Sequence, residues 1–230
     1  MRTDPILWRS RMTIRPLFSF LLVPALLVGL TSPIWATDPS SGPEDADLFK
    51  GESVDLYFYH NQFFSFDMMV AGDWHVLSSK ELIQQLRKHQ RGDDFSDQNL
   101  RESGLFFLLS ISKYEPAKPG PRGEFNPHIM LGAMDLSKYP GIKTGKDYIR
   151  FLATSGIDMG AKLTLNPSLV QLGGVDFWRL HGRARRGSEA INCEWIGTVR
   201  KGYGLHFQLM AGSKAEMTEL EDVLKSLHFD

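Results

Sequence analysis

The chain has a single cysteine, Cys193. No internal disulfide can form, even in an oxidising compartment. It has no surplus of positive charge, since 26 Lys and Arg stand against 27 Asp and Glu. A general nucleic-acid binder needs a basic surface to neutralise phosphates, so that class is excluded. No uncharged apolar run reaches the roughly 20 residues of a membrane span. The run from Leu17 to Leu30 stops after 14 residues and contains Pro24. None of the seven histidines pairs with another at i, i+2 or i+4, which removes the local zinc motifs. A metal site assembled from distant strands stays open. The G-x-S-x-G elbow of one hydrolase class is missing too.

The most informative segment is the N-terminus. Arg2, Arg9, Arg11 and Arg15 precede the apolar run, and Ile34-Trp35-Ala36 places a small residue after it. Basic region, short apolar core and small cleavage residue are the three parts of a secretory signal. Residues 1–36 read as a signal peptide cleaved near Ala36, which makes the protein periplasmic or secreted. Two alternatives stay open: an uncleaved anchor extending through Trp35, and translation from Met12. No adjacent arginine pair precedes the apolar core, and no cysteine near the cleavage region offers a lipid anchor. Residues 1–36 hold four Arg and one acid, so the remainder carries a net charge of −4.

Thr37 to Asp47 is rich in Pro, Ser, Gly and acids. Residues 37–52 read as a disordered leader, and one domain is expected over 53–230. VDLYFYH and FFSFDMMV are strand-like, with a turn at His60-Asn61-Gln62. Ser78 and Glu81 form a capping box for a helix running to about His89. Arg91 to Ser103 reads as a polar loop. GLFFLLSISKY and HIMLGAMDL are strands, and Thr144 with Asp147 caps a helix whose Tyr148, Phe151 and Leu152 face inward. VDFWRLHGRA, EAINCEWIGTVR and YGLHFQLMA form three strands joined by Gly-bearing turns, which demand antiparallel neighbours. Ser213 and Glu216 cap a last helix with Met217, Leu220, Val223, Leu224 and Leu227 at helical spacing. The order β-β-α-β-β-α-β-β-β-α argues for an α+β domain with an antiparallel sheet packed between helices.

Three stretches carry a family resemblance. They are FSFDMMVAGDWHVLSSKEL, LGGVDFWRLHGRA with its Gly173-Gly174 pair, and KGYGLHFQLMAGSKAEMTELEDVLKSLHF. In these and in element order the chain resembles the PsbP/Mog1 family, an α/β/α sandwich. The resemblance implies a binding or assembly role rather than catalysis. It carries no shared catalytic residue set onto this chain and implies no cofactor.

Candidate chemistry is sparse. Gly141 to Asp147, GIKTGKD, looks like a phosphate loop. Three residues separate its glycines where four are required, and Asp147 follows the lysine. A capped helix start is the better reading. Asp93, Asp94 and Asp97 lack the central Gly of a calcium loop and read as solvated acids. Ile191, Cys193 and Trp195 alternate onto one inner strand face, so Cys193 reads as a buried inert thiol.

The sharpest feature is RLHGRARRG. Arg179, His181, Arg183 and Arg185 share one strand face, opposite to Trp178, Leu180 and Ala184. A two-residue turn at Gly187-Ser188 sets His181 opposite Glu194, Arg183 opposite Asn192 and Leu180 opposite Trp195. The arginines are expected to meet solvent or an anionic partner, with Glu194 the one acid in register. Arg179, His181, Arg183, Arg185 and Glu194 are therefore the candidate binding residues. No metal or catalytic residue is assigned. The function expected is a non-enzymatic domain that binds or assists another extracytoplasmic protein, with no nucleic acid and at most peripheral membrane contact. The rival is a small-ligand carrier or an enzyme with a pocket between sheet and helix.

Overall fold

In this computed structural model, residues 48–49, 52–54, 58–70, 72–89, 96–116, 118–121, 123–158, 162–164 and 166–230 are described. The signal-like segment 1–36 and most of the expected leader lie outside them. Three leader residues do not. Leu48 is fully buried, Phe49 packs edge-on to Phe106 at 6.4 Å, and Glu52 is partly buried. Packed structure therefore begins by Leu48, not at Ser53. Two large apolar side chains explain this, since burying each removes apolar surface from water.

The main sheet is antiparallel. It runs β4 (His75–Ser78), β5 (Leu105–Ser112), β6 (His128–Asp135), β11 (Tyr203–Ala211), β10 (Glu189–Arg200), β9 (Val175–Arg186) and β7 (Lys162–Leu163). β8 (Ser168–Leu172) also pairs with β9. A small sheet orders β1 (Ser53–Val54), β2 (Phe58–Asn61), β3 (Phe66–Met69) and β12 (His228–Phe229).

Both faces of the main sheet are buried. One carries Leu180, Ala184, Ile191, Cys193 and Trp195 against the helices α1 (Ser79–His89), α2 (Asp97–Ser103) and α3 (Gly145–Asp158). The other carries Phe177, Ile196, Phe207 and Leu209 against α4 (Lys214–Lys225) and the small sheet. This is the expected α+β architecture, an antiparallel sheet between helices. Period-2 alternation of large apolar residues on β9, β10 and β11 produces it, because each strand must satisfy two cores.

The helix starts follow their caps. Glu81 accepts from the Ser78 backbone and hydroxyl at 2.9 and 2.8 Å. Asp147 accepts from the Thr144 N–H at 3.0 Å, and its own N–H donates to the Thr144 hydroxyl at 3.2 Å. That settles GIKTGKD as a helix start. The Thr144 hydroxyl also donates to the Asp147 carboxylate and holds its pKa below the usual value. The full capping box of Ser213 and Glu216 starts α4.

Some elements differ from the sequence reading. Asp97–Ser103 is a short helix rather than loop, anchored by buried Leu100. Asp93 and Asp94 lie outside the described residues. The first hairpin turns at Gln62–Ser65, later than expected, because buried Asn61 accepts from the Phe64 N–H at 2.9 Å. The strands β4, β7, β8 and β12 were not anticipated.

β9 is unevenly covered on its outer side. β8 pairs with Val175 to Arg179, and β7 with Gly182 and Arg183. Among the described residues, no strand covers Ala184 to Arg186 there.

A candidate anion-binding groove

The β9–β10 turn sets the site. β9 ends at Arg186 and β10 begins at Glu189, so two residues, Gly187 and Ser188, make the link. The register places Glu194 opposite His181, Asn192 opposite Arg183 and Leu180 opposite Trp195. Alternation turns the odd positions of β9 toward the α4 side. α4 packs on the same side, started by its Ser213 cap.

A groove of about 660 Å³ lies between them. β9 contributes His181 and Arg183, and β10 contributes Asn192 and Glu194. α4 contributes Lys214, Met217, Thr218 and Glu221, and the β7 edge adds Lys162 and Thr164. Its size falls within the roughly 300–1,000 Å³ of ligand sites.

Glu194 is the buried centre of a charge network, its side chain only 7% exposed. Its Oε1 lies 2.7 Å from His181 Nδ1. Its Oε2 lies 3.6 Å from Arg179 Nε, too long for a hydrogen bond. Arg179 Nη1 donates to Glu221 Oε1 at 3.0 Å. Burial raises the Glu194 carboxyl above its ordinary value, and the charges of Arg179 and His181 oppose that shift. Groups so perturbed beside a cleft mark a candidate site.

The expected site residues divide into three. His181, Arg183 and Glu194 come together in the groove. Arg179 stands behind it, one-fifth exposed and held between Glu194 and Glu221. It was expected to meet solvent or a partner. The correction comes from α4, whose Glu221 no strand register can reveal. Arg185 is exposed but is not among the groove-lining residues. Cys193 reaches the groove wall, yet its thiol is buried and burial pushes its pKa up to about 11. A thiol so placed stays protonated and inert at neutral pH.

Lys162, Lys214, Thr218 and Glu221 were not anticipated. Lys214, Thr218 and Glu221 recur at i, i+4 and i+7 around inward Met217. They flank the apolar face of α4, and that spacing was the available signal. Nothing in sequence marks Lys162. Among the described residues, no cluster of three His, Cys, Asp or Glu is arranged to hold a metal ion. No described helix is long and apolar enough to cross a membrane.

No family model and no curated protein sequence matches this chain. Solved structures similar to it include cyanobacterial PsbP, CyanoP, from Synechocystis. The TM-score is 0.46 and the identity 12%, over 78% of this chain and 96% of that one. Another is LpqN of Mycobacterium tuberculosis, described as involved in cell envelope biogenesis. Its TM-score is 0.41 and its identity 16%, over 83% of this chain and 98% of that one. The first is a PsbP protein, the family that the sequence resembles. Likeness at this level concerns the path of the chain and assigns the groove no ligand.

Proposed function

We propose that the chain is an exported, non-enzymatic accessory domain that binds an anionic segment of another extracytoplasmic protein in this groove. One observation carries the reading. Lys162, Arg183 and Lys214 line the groove and are exposed, and among the described residues no carboxylate pairs with them. The two groove carboxylates, Glu194 and Glu221, are already engaged by Arg179 and His181. The cations are thus free for a partner's carboxylates, which arginine can hold in a bidentate fork. The basic, apolar and small-residue pattern of residues 1–36 supports export.

A fluorescein-labelled tetra-aspartate peptide tests the reading by anisotropy. It should bind the mature protein and release as salt rises, since exposed charges are screened over about 8 Å at physiological ionic strength. The folded variant carrying Lys162→Glu, Arg183→Glu and Lys214→Glu should lose binding. Equal binding by both proteins overturns the reading. One observation favours the rival carrier: the groove is concave and of ligand size. Free aspartate bound as tightly as the peptide would establish that reading instead.

A further inference from the structure

Resting on that reading, we infer that occupancy of the groove by a carboxylate is coupled to uptake of one proton by the His181–Glu194 pair. His181 is fixed twice. The Thr164 hydroxyl donates to its carbonyl at 3.0 Å, and its N–H donates to the same hydroxyl at 3.2 Å. Its ring is held at Nδ1 by Glu194 Oε1 at 2.7 Å. The ring is half exposed and lines the groove, and Nε2 has no hydrogen-bond partner among the described residues.

A carboxylate at Nδ1 keeps the hydrogen of the neutral imidazole on that nitrogen. Nε2 then offers a lone pair, which repels an entering anion. With one more proton, Nε2–H becomes a charge-assisted donor to that anion. The charged groups facing the pair are Arg179 and Arg183 from β9, Lys162 at the β7 edge, and Lys214 and Glu221 from α4. Lysine and arginine side chains ordinarily keep their charge from pH 5.5 to 8, whereas imidazoles change theirs. Glu194, held at Nδ1 and so away from Nε2, balances the charge added to the ring. Where the free ring is neutral, binding draws one proton from solvent onto Nε2, the bound carboxylate stays ionised, and no other bond changes.

The test is the affinity of unlabelled tetra-aspartate, by titration calorimetry, from pH 5.5 to 8.0, where aspartate carboxylates stay ionised. Wild type should bind at least about tenfold tighter at pH 5.5 than at pH 8.0, following one-proton linkage. His181→Gln should bind with an affinity flat in pH, because glutamine does not titrate. In wild type, NMR should show the His181 ring titrating at higher pH once the peptide is added. A flat wild-type profile, an unmoved ring titration or a His181→Gln variant that keeps the full slope overturns the inference while leaving the binding function standing. No binding at any pH overturns both.

Discussion

The Tyr148 hydroxyl and His206 Nδ1 share a hydrogen bond of 2.6 Å, and both side chains are essentially inaccessible to solvent. Tyr148 comes from α3 and His206 from β11, so the bond pins helix to sheet. Two glycines make room for it. A Cβ on Gly132 would sit 2.6 Å from the His206 ring, and one on Gly204 would strike the Tyr148 ring. A buried polar pair of this kind is stable only while both members are satisfied.

Gly204→Ala should therefore destabilise the fold. Overpacking of this kind typically costs about 1–3 kcal/mol. The urea midpoint should fall, and the Tyr148–His206 bond should be lost from hydroxyl and imidazole NMR signals. An unchanged midpoint would show that α3 yields without cost.

Stability should drop on acidification through His206. Burial pushes its pKa from 6.5 down to about 4. The unfolded chain binds the proton more readily, so stability is present above pH 6.5 and lost toward pH 4. The full loss is on the order of 3 kcal/mol. Denaturant titrations across that range should show the slope, and His206→Gln should flatten it.

Glu52 works in the opposite direction. Burial raises its carboxyl from 4.5 to about 7, against hydrogen bonds from Tyr59 and Ser79. Its folded pKa lies above its unfolded one, so it withdraws stability as pH rises from 4.5 to 7. Glu52→Gln should gain stability relative to wild type at pH 8 and show little gain at pH 4.5. The wild-type profile is thus shallower than that of either variant's remaining group, and the two substitutions together separate the contributions.

The arginines of β9 should part company on substitution. Arg179→Glu leaves Glu194 and Glu221 facing a third carboxylate. Breaking a fully buried pair costs roughly 3–5 kcal/mol, and partial exposure lowers that here. Arg183→Glu and Arg185→Glu should each stay within about 0.5 kcal/mol of wild type. Thermal unfolding of the three single variants ranks them, and a destabilised Arg185→Glu would contradict its exposure.

Trp195→Ala should cost more than Trp178→Ala. Trp195 is 4% exposed in the core under α3, and its loss falls in the range of about 3–5 kcal/mol. Trp178 is only partly buried, with Lys146 Nζ 4.9 Å from its ring. Equal losses in urea would mean that the lysine-capped ring is as well packed as the buried one.

The parts of this fold governed by local rules were legible in sequence. The Gly187-Ser188 turn and period-2 alternation placed His181 opposite Glu194 and put Leu180 and Trp195 on the inner face. Ser213 and Glu216 marked where α4 starts. What escaped depends on contacts distant in sequence. β7 and β12 have two residues each, too few for any periodicity, and exist because neighbouring strands offer them hydrogen bonds. Of the five residues expected in the strip, His181, Arg183 and Glu194 line the groove. Arg179 was misplaced because its partner Glu221 comes from a helix 42 positions away. A pocket between sheet and helix was among the alternatives, but its cations escaped for the same reason, since Lys162 and Lys214 reach one groove only after β7, β9 and α4 have packed.

Among the described residues, β9 has no strand on its outer side from Ala184 to Arg186, the kind of stretch whose amides and carbonyls can take another strand. Such edges invite end-to-end growth into aggregates unless something repels the newcomer. Arg185 and Arg186 stand on this stretch. A second copy docking antiparallel here would bring two rows of guanidiniums together, with no acid on the stretch to separate them. Like charges so placed repel, so this corner of β9 would oppose pairing with another molecule of the same chain.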